Sequence, residues 1–198
     1  GSFEIANLLQ YSHVDYIAVA YADEGVELRR AGIRTPIMVM NTEEESFSSI
    51  VSYNLEPELY SNSSTKAFIE FLSREAITHY PVHLKLDTGM HRLGFEETDL
   101  LDFFQNANLQ QLIHVKTVFT HFVASEDAAQ DEFTRNQLSL FKRLCSILEQ
   151  QLGYGFLRHA ADPPAQVRDH ARYRLAVAAP AAGMGGTLRG AARRGRAR

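Results

Sequence analysis

Cysteine is nearly absent from this chain of 198 residues. Cys145 stands alone, so no internal disulfide can form, and such usage fits a reducing compartment, with the cytoplasm as the expected location. Cys145 lies beside the apolar stripe of a predicted helix, which implies passive packing. No apolar run approaches the roughly 18 residues that a membrane-spanning helix requires. No basic stretch leads into an apolar segment at the N-terminus, so no secretory leader is expected. Beyond Ala161 the sequence also lacks Lys, Ile and Phe altogether.

That last absence marks a break in composition. Residues 1–161 hold 12 of the 20 basic and 22 of the 24 acidic residues, a balance of −10. Residues 162–198 hold eight Arg against Asp162 and Asp169, a balance of +6, together with ten Ala. An Arg-rich tail could suit nucleic acid. With one Tyr for stacking, no binding motif and an acidic body, neither nucleic acid nor a membrane is an expected partner. The shift to Ala, Arg, Gly and Pro matches a frame-shifted or artificial read-through of a GC-rich gene, with a flexible natural tail as the alternative. Such a tail buries too little apolar surface to offset its ordering entropy, so disorder or weak helix is expected over 162–198. The expected folded domain is 1–161.

Within that body, strand-like and helix-like patterns alternate. Tyr16–Tyr21 reads as a strand, followed by a helix from Asp23, a possible cap, to Gly32. Pro36–Asn41 is a second strand, and Thr42-Glu43-Glu44-Glu45 has the spacing of a capping box for the next helix. A short strand near Leu55–Leu59 leads to a helix at Ser64–Ala76. Strand Pro81–Asp87, a helix near Thr98–Gln105, strand Val115–His121, a helix around Phe133–Leu152 and strand Phe156–Ala160 follow. In the long helix, Phe133, Gln137, Leu140, Phe141, Leu144 and Leu148 form the stripe of an element buried on one side. Six strands separated by five helices argue for a parallel α/β sheet, because parallel neighbours need crossover helices. An open doubly wound sheet is one candidate, but no G-x-G-x-x-G follows any strand. Six strands are too few to close an eight-stranded barrel.

The most informative stretch is Lys85 to Phe95, K-L-D-T-G-M-H-R-L-G-F. Alternation puts Val82, Leu84 and Leu86 on one face of its strand and His83, Lys85 and Asp87 on the other. Polar groups in such a place must be paired or solvated, so they are expected at the mouth of a cavity. An edge strand with one wet face is the plainer reading.

This stretch closely resembles the signature of alanine racemases, pyridoxal-phosphate (PLP) enzymes with an N-terminal (β/α)8 barrel. The resemblance continues at Phe119-Thr120-His121-Phe122 and at Asp131-Glu132-Phe133-Thr134-Arg135-Asn136-Gln137. Upstream, Val14 to Ala20 and Glu24 to Arg29 are similar to the family's second strand and helix. Gly1 to Leu28 is most similar in wording to the racemase half of fused Mur ligase–alanine racemase proteins. On that template the chain carries strands 2 to 7, so the resemblance implies an incomplete (β/α)8 TIM-type barrel.

The resemblance implies interconversion of L- and D-alanine for peptidoglycan precursors, with PLP as cofactor and a homodimer as the intact enzyme. It implies that Arg92 contacts the cofactor's phenolic oxygen and that His121 stacks on the pyridine ring. It makes Lys85 a candidate for carbamylation, which requires a neutral amine. It places His159 and Asp162 at the phosphate, where the family's H-x-A-N-S reads His159-Ala160-Ala161-Asp162-Pro163. There Asp replaces Asn and Pro replaces Ser, which puts a negative charge near a dianion. The family's Schiff-base lysine, its tyrosine base and its C-terminal β domain have no counterpart here, so no catalytic residue is assigned and the chain alone is expected to be inactive. A PLP-binding homeostasis-type barrel, and a fragment without function, are the alternatives. No metal is expected.

Overall fold

The computed structural model describes residues 2–104, 107–123, 128–161 and 175–177. Helix α1 (Ser2–Tyr11) leads into β1 (Tyr16–Val19), α2 (Ala22–Arg30), β2 (Ile37–Val39) and, after a 3-10 turn (Glu44–Ser46), α3 (Phe47–Ser52). Next come β3 (Glu56–Leu59), α4 (Asn62–Arg74), β4 (Tyr80–Lys85), α5 (Glu97–Phe104), α6 (Ala107–Leu112) and β5 (Ile113–His121). A second 3-10 turn (Ala128–Gln130), α7 (Asp131–Leu152), β6 (Leu157–Ala161) and β7 (Leu175–Val177) complete the described elements.

All strand pairs are parallel, and the sheet order is β6-β5-β4-β3-β2-β1-β7. From β1 to β6 the spatial order equals the chain order, with no reversal. A doubly wound sheet reverses its order at a switch point, whereas sequential right-handed crossovers keep every helix on one face. The fold is therefore a section of a barrel, as the resemblance implies. β4 lies between β3 and β5, which rules out the edge-strand reading.

The two faces of the sheet differ in chemistry. On the helix side, Ile17, Val19, Ile37, Val39, Leu55, Leu59, Val82 and Leu84 pack against Val26, Phe68, Leu72, Phe141, Leu144 and Leu148. Cys145 is fully buried in this core, where burial pushes its thiol up to about 12, and it is a packing residue. The opposite, concave face carries a small apolar group of Ala18, Met38 and Phe119, flanked by Met40. That face also carries the buried polar residues Glu58, His83, Lys85 and Thr117. Its alternation is adjusted at one place: Val82 pairs with Val115 but His83 pairs with Thr117, so Lys116 is an extra, exposed residue in β5. This bulge puts Thr117, Phe119 and His121 on the concave face while Val115 stays in the helix-side core.

Local details depart from the sequence pattern. α1 was not anticipated, because only Ala6 is buried and Leu8 and Tyr11 are exposed, leaving no clear stripe. Thr42 does not cap a helix; its hydroxyl is buried and donates to the Glu58 carbonyl at 3.1 Å. Tyr21, rather than Asp23, stands at the N-cap of α2, and the Glu24 carboxylate accepts from the Ala20 N–H at 2.8 Å. Gly32 follows the C-cap residue Ala31 with φ of +95°, the left-handed turn expected of it. In α7 the inward residues are Thr134, Gln137, Phe141, Leu144, Cys145, Leu148 and Leu152, while Phe133 is exposed. Within the segment read as disordered or weakly helical, Leu175–Val177 instead form a strand along β1, with Ala176 opposite Ile17.

Candidate functional site

The site is built on the C-terminal ends of β4, β5 and β6, the end at which barrels of this kind carry their chemistry. His83, Lys85 and Asp87 do leave β4 on the face opposite Val82, Leu84 and Leu86. They are paired rather than solvated. All three are buried, and each is engaged by a partner.

The partners of His83 and Lys85 come from β3. His83 Nε2 lies 3.0 Å from Glu56 Oε2, and Lys85 Nζ lies 3.2 Å from Glu58 Oε1. Two acid–base pairs thus span the β3–β4 seam in successive layers. His83 continues the chain of contacts on its other side: Nδ1 meets the Thr117 hydroxyl at 2.8 Å, which lies 3.4 Å from His159 Nε2. The Tyr16 ring sits edge-on to His83, with centroids 5.1 Å apart. Lys85 Nζ also lies 5.7 Å from the centroid of Phe119, over its ring.

Burial governs the protonation of this face. It raises the Glu58 carboxyl to about 7 even though Lys85 and Arg92 act to lower it. Burial, with the like charge of His83 second, holds His159 well below the ordinary histidine range, so its imidazole is neutral at pH 7. His159 stacks on Phe119, centroids 4.6 Å apart and planes 20° apart. It sits in the middle of β6, in register with Phe119.

Asp87 has a different task. Burial pushes its carboxyl up, but the backbone N–H groups of Gly89, His91, Met90 and Arg92 outweigh that and hold it below the usual range. Oδ1 accepts from Gly89, Met90 and His91 at 2.8, 2.9 and 3.1 Å, and Oδ2 accepts from Arg92 at 3.1 Å. The chain then folds back: Asp87 N–H donates to the Phe95 carbonyl and Phe95 N–H to the Lys85 carbonyl. Gly94, with φ of +138°, makes this return possible, since a Cβ there would lie 2.4 Å from the Asp87 nitrogen. The eleven-residue stretch is thus one self-braced loop carrying Arg92, whose side chain is exposed.

Beside it, the Thr88 and Thr120 hydroxyls meet at 2.8 Å, and Thr120 donates to the Leu86 carbonyl at 2.9 Å. This ties the loop to the end of β5, where His121 is half-buried. Arg92, beyond β4, and His121, the last residue of the adjacent β5, accordingly lie at the same end of the sheet. Asp162 lies outside the described residues. Glu56, Glu58 and Thr117 were not singled out from the sequence. The signal available was the alternation Glu56-Pro57-Glu58, two acids on one face beside the strand that carries His83 and Lys85. Among the described residues no group of three His, Cys, Asp or Glu side chains could hold a metal ion. Nor is any described helix long and apolar enough to cross a membrane.

Comparison with known proteins agrees with this architecture. The family model for the alanine racemase N-terminal domain matches residues 1–177, extending beyond the composition break at Ala161. The chain is 34% identical over 165 residues to an alanine racemase of Thermodesulfovibrio yellowstonii, covering 82% of this chain and 42% of that protein. It is 34% identical over 170 residues to one from Carboxydothermus hydrogenoformans, covering 85% and 45%. Among solved structures, an alanine racemase of Clostridium difficile 630 superposes with a TM-score of 0.73 at 27% identity, covering 89% of this chain and 46% of that one. The chain therefore spans less than half the length of these relatives. Their shared barrel section and the length of the family match establish that the chain belongs to the alanine racemase N-terminal domain family.

Proposed function

We propose that this chain is the cofactor-binding barrel portion of a PLP-dependent alanine racemase. In the whole protein, a homodimer, it would serve the interconversion of L- and D-alanine for peptidoglycan precursors. The observation that carries this reading is the self-braced loop from Asp87 to Phe95, which holds Arg92 beside the strand end bearing His121. The donor set fits the ring side of PLP. A guanidinium is complementary to a phenolic oxygen that carries negative charge, and an imidazole offers a flat surface to a pyridine ring.

When bound, PLP supplies an electron sink for the carbanion that forms as the substrate Cα loses its proton. The residues of this chain bind and orient. Arg92 would hold the phenolic oxygen, and His121 would support one face of the ring. His159, neutral and stacked on Phe119, would help close the floor beneath them. Asp162 and His159 would stand near the phosphate, with Asp162 the poorer match because of its charge. Lys85 is not available to attach the cofactor, since its ammonium is taken by Glu58. The acid–base groups of turnover would come from the remainder of the enzyme, so the chain alone should not racemise alanine.

The test joins these residues to the complementary parts of a relative and follows PLP by visible absorbance and D-alanine by a coupled assay. Arg92→Ala and His121→Ala should stay folded, shift or weaken the cofactor spectrum and lower kcat. Unchanged spectra and rates in both would overturn the assignment. Robust turnover by the isolated 198-residue chain would overturn the division of labour.

A further inference from the structure

The resemblance to alanine racemases makes Lys85 a candidate for carbamylation, and the structure puts a carboxylate where that adduct's charge would be. Lys85 Nζ is buried, 3.2 Å from Glu58 Oε1, and Glu58 itself is only 1% exposed. The other Glu58 oxygen is buried and has no hydrogen-bond partner among the described residues. On the remaining side Nζ lies over the Phe119 ring, whose face attracts a cation and not an anion. Both neighbours favour the ammonium form.

We propose that Glu58 is the resident counter-charge of Lys85 and that the pair keeps Lys85 a free ammonium, closed to carbon dioxide. Carbamylation joins the Nζ lone pair to the carbon of CO2 and releases one proton from the nitrogen. The lone pair must first be free, which means removing the proton that the Glu58 carboxylate stabilises. The product then sets a negative carbamate against that buried carboxylate, so an attraction becomes a repulsion in a site with little water to screen it. In this chain Glu58 supplies from β3 the negative charge that carbamylation would create on β4. Glu58 is thus a positioning residue acting through Lys85. One layer below, Glu56 and His83 face each other across the same seam at 3.0 Å.

The comparison with a carbamylated lysine rests on the racemase reading above. The test reads CO2 capture and not cofactor binding or turnover, so its failure leaves that reading standing. The 198-residue chain is incubated with 13C-bicarbonate at pH 8, where Glu58 is ionised, and the carbamate 13C resonance is recorded. Lys85→Arg provides the background from other amines. Wild type should give no signal above that background, Glu58→Gln should gain a Lys85-dependent carbamate, and Glu58→Asp should suppress it again. A Lys85-dependent carbamate in the wild-type chain would overturn the proposal, and that measurement needs no variant of Glu58 to fold. Absence of the carbamate from a folded Glu58→Gln chain would equally overturn it, by showing that Glu58 is not what excludes the adduct.

Discussion

The Asp87 carboxylate accepts the backbone N–H of Arg92 at 3.1 Å, while three earlier N–H groups of the same loop converge on its other oxygen. A residue buried just beyond β4 thereby fixes the position of an exposed cation five residues later. Asp87→Ala would leave four backbone donors without their acceptor, at a cost of roughly 2–4 kcal/mol given that charged hydrogen bonds are the stronger kind. The folded-state pKa of Asp87 is depressed, so its contribution is present above the unfolded value of 3.8 and is lost as pH falls through the lower folded value. Urea midpoints should show wild type and Asp87→Ala far apart at pH 7 and converging at strongly acidic pH. A constant gap across that range would mean that the carboxylate charge is not what organises the loop.

Gly94 is the second support of that loop. Its φ of +138° lies where side-chain-bearing residues are strained, and an added Cβ would meet backbone atoms, the Asp87 nitrogen at 2.4 Å and the Leu86 carbonyl carbon at 2.6 Å. Neither can move without breaking the hydrogen bonds between Phe95 and the end of β4. Gly94→Ala should therefore cost about 3 kcal/mol or more, strain and overpacking together. Gly153, at φ of +74° with nothing within 4 Å of its Cβ position, provides the comparison. Gly153→Ala should cost only about 1 kcal/mol, the backbone term alone. Equal denaturation midpoints for the two variants would refute the steric argument.

Glu58 should leave a mark on stability opposite in sign to that of Asp87. Its folded pKa is raised to about 7 from 4.5, so the folded state binds the proton more tightly than the unfolded state. The stabilisation that follows is complete below the unfolded value and lost as pH rises through the folded one. Relative to Glu58→Gln, the wild-type chain should lose on the order of 3 kcal/mol between about pH 4.5 and pH 7. Unfolding of both proteins by urea at pH 5 and pH 8 measures this directly. If the difference between them does not change with pH, Glu58 titrates as an ordinary carboxyl.

Much of this was legible in the sequence, for identifiable reasons. β1 to β6 were readable because each alternates or runs apolar between helices with Gly or polar ends, as at Gly32. The chain order of the strands excluded the doubly wound alternative only once pairing was seen. Arg92 and His121 were singled out through the wording of their segments, not through composition, and what the fold adds is their place at neighbouring strand ends. Glu56 and Glu58 escaped because acids in a four-residue strand read as solvated, and nothing local announces a basic partner 27 residues along the chain. The bulge at Lys116 was illegible because period-2 logic alone gives Val115 and His121 the same face. Leu175–Val177 was missed because the Ala and Arg around it dominate any window average.

That last segment makes a prediction that composition alone would reverse. The change at Ala161 argues that everything beyond is dispensable, yet Leu175–Val177 lies parallel to β1 with Tyr16, Ile17 and Ala18 opposite Leu175, Ala176 and Val177. β1 is buried at every position, so an uncovered β1 would present an apolar strand with a free hydrogen-bonding edge. Such edges pair with other chains. Ala176→Pro removes one backbone N–H and its ring opposes a ladder at that register, while the net charge is unchanged. The variant should lose little secondary structure by circular dichroism but should self-associate in sedimentation velocity at concentrations where wild type does not. A truncation after Ala161 should behave like Ala176→Pro. If both remain as dispersed as wild type, β7 contributes nothing to covering β1, and the composition break is the true end of the folded unit.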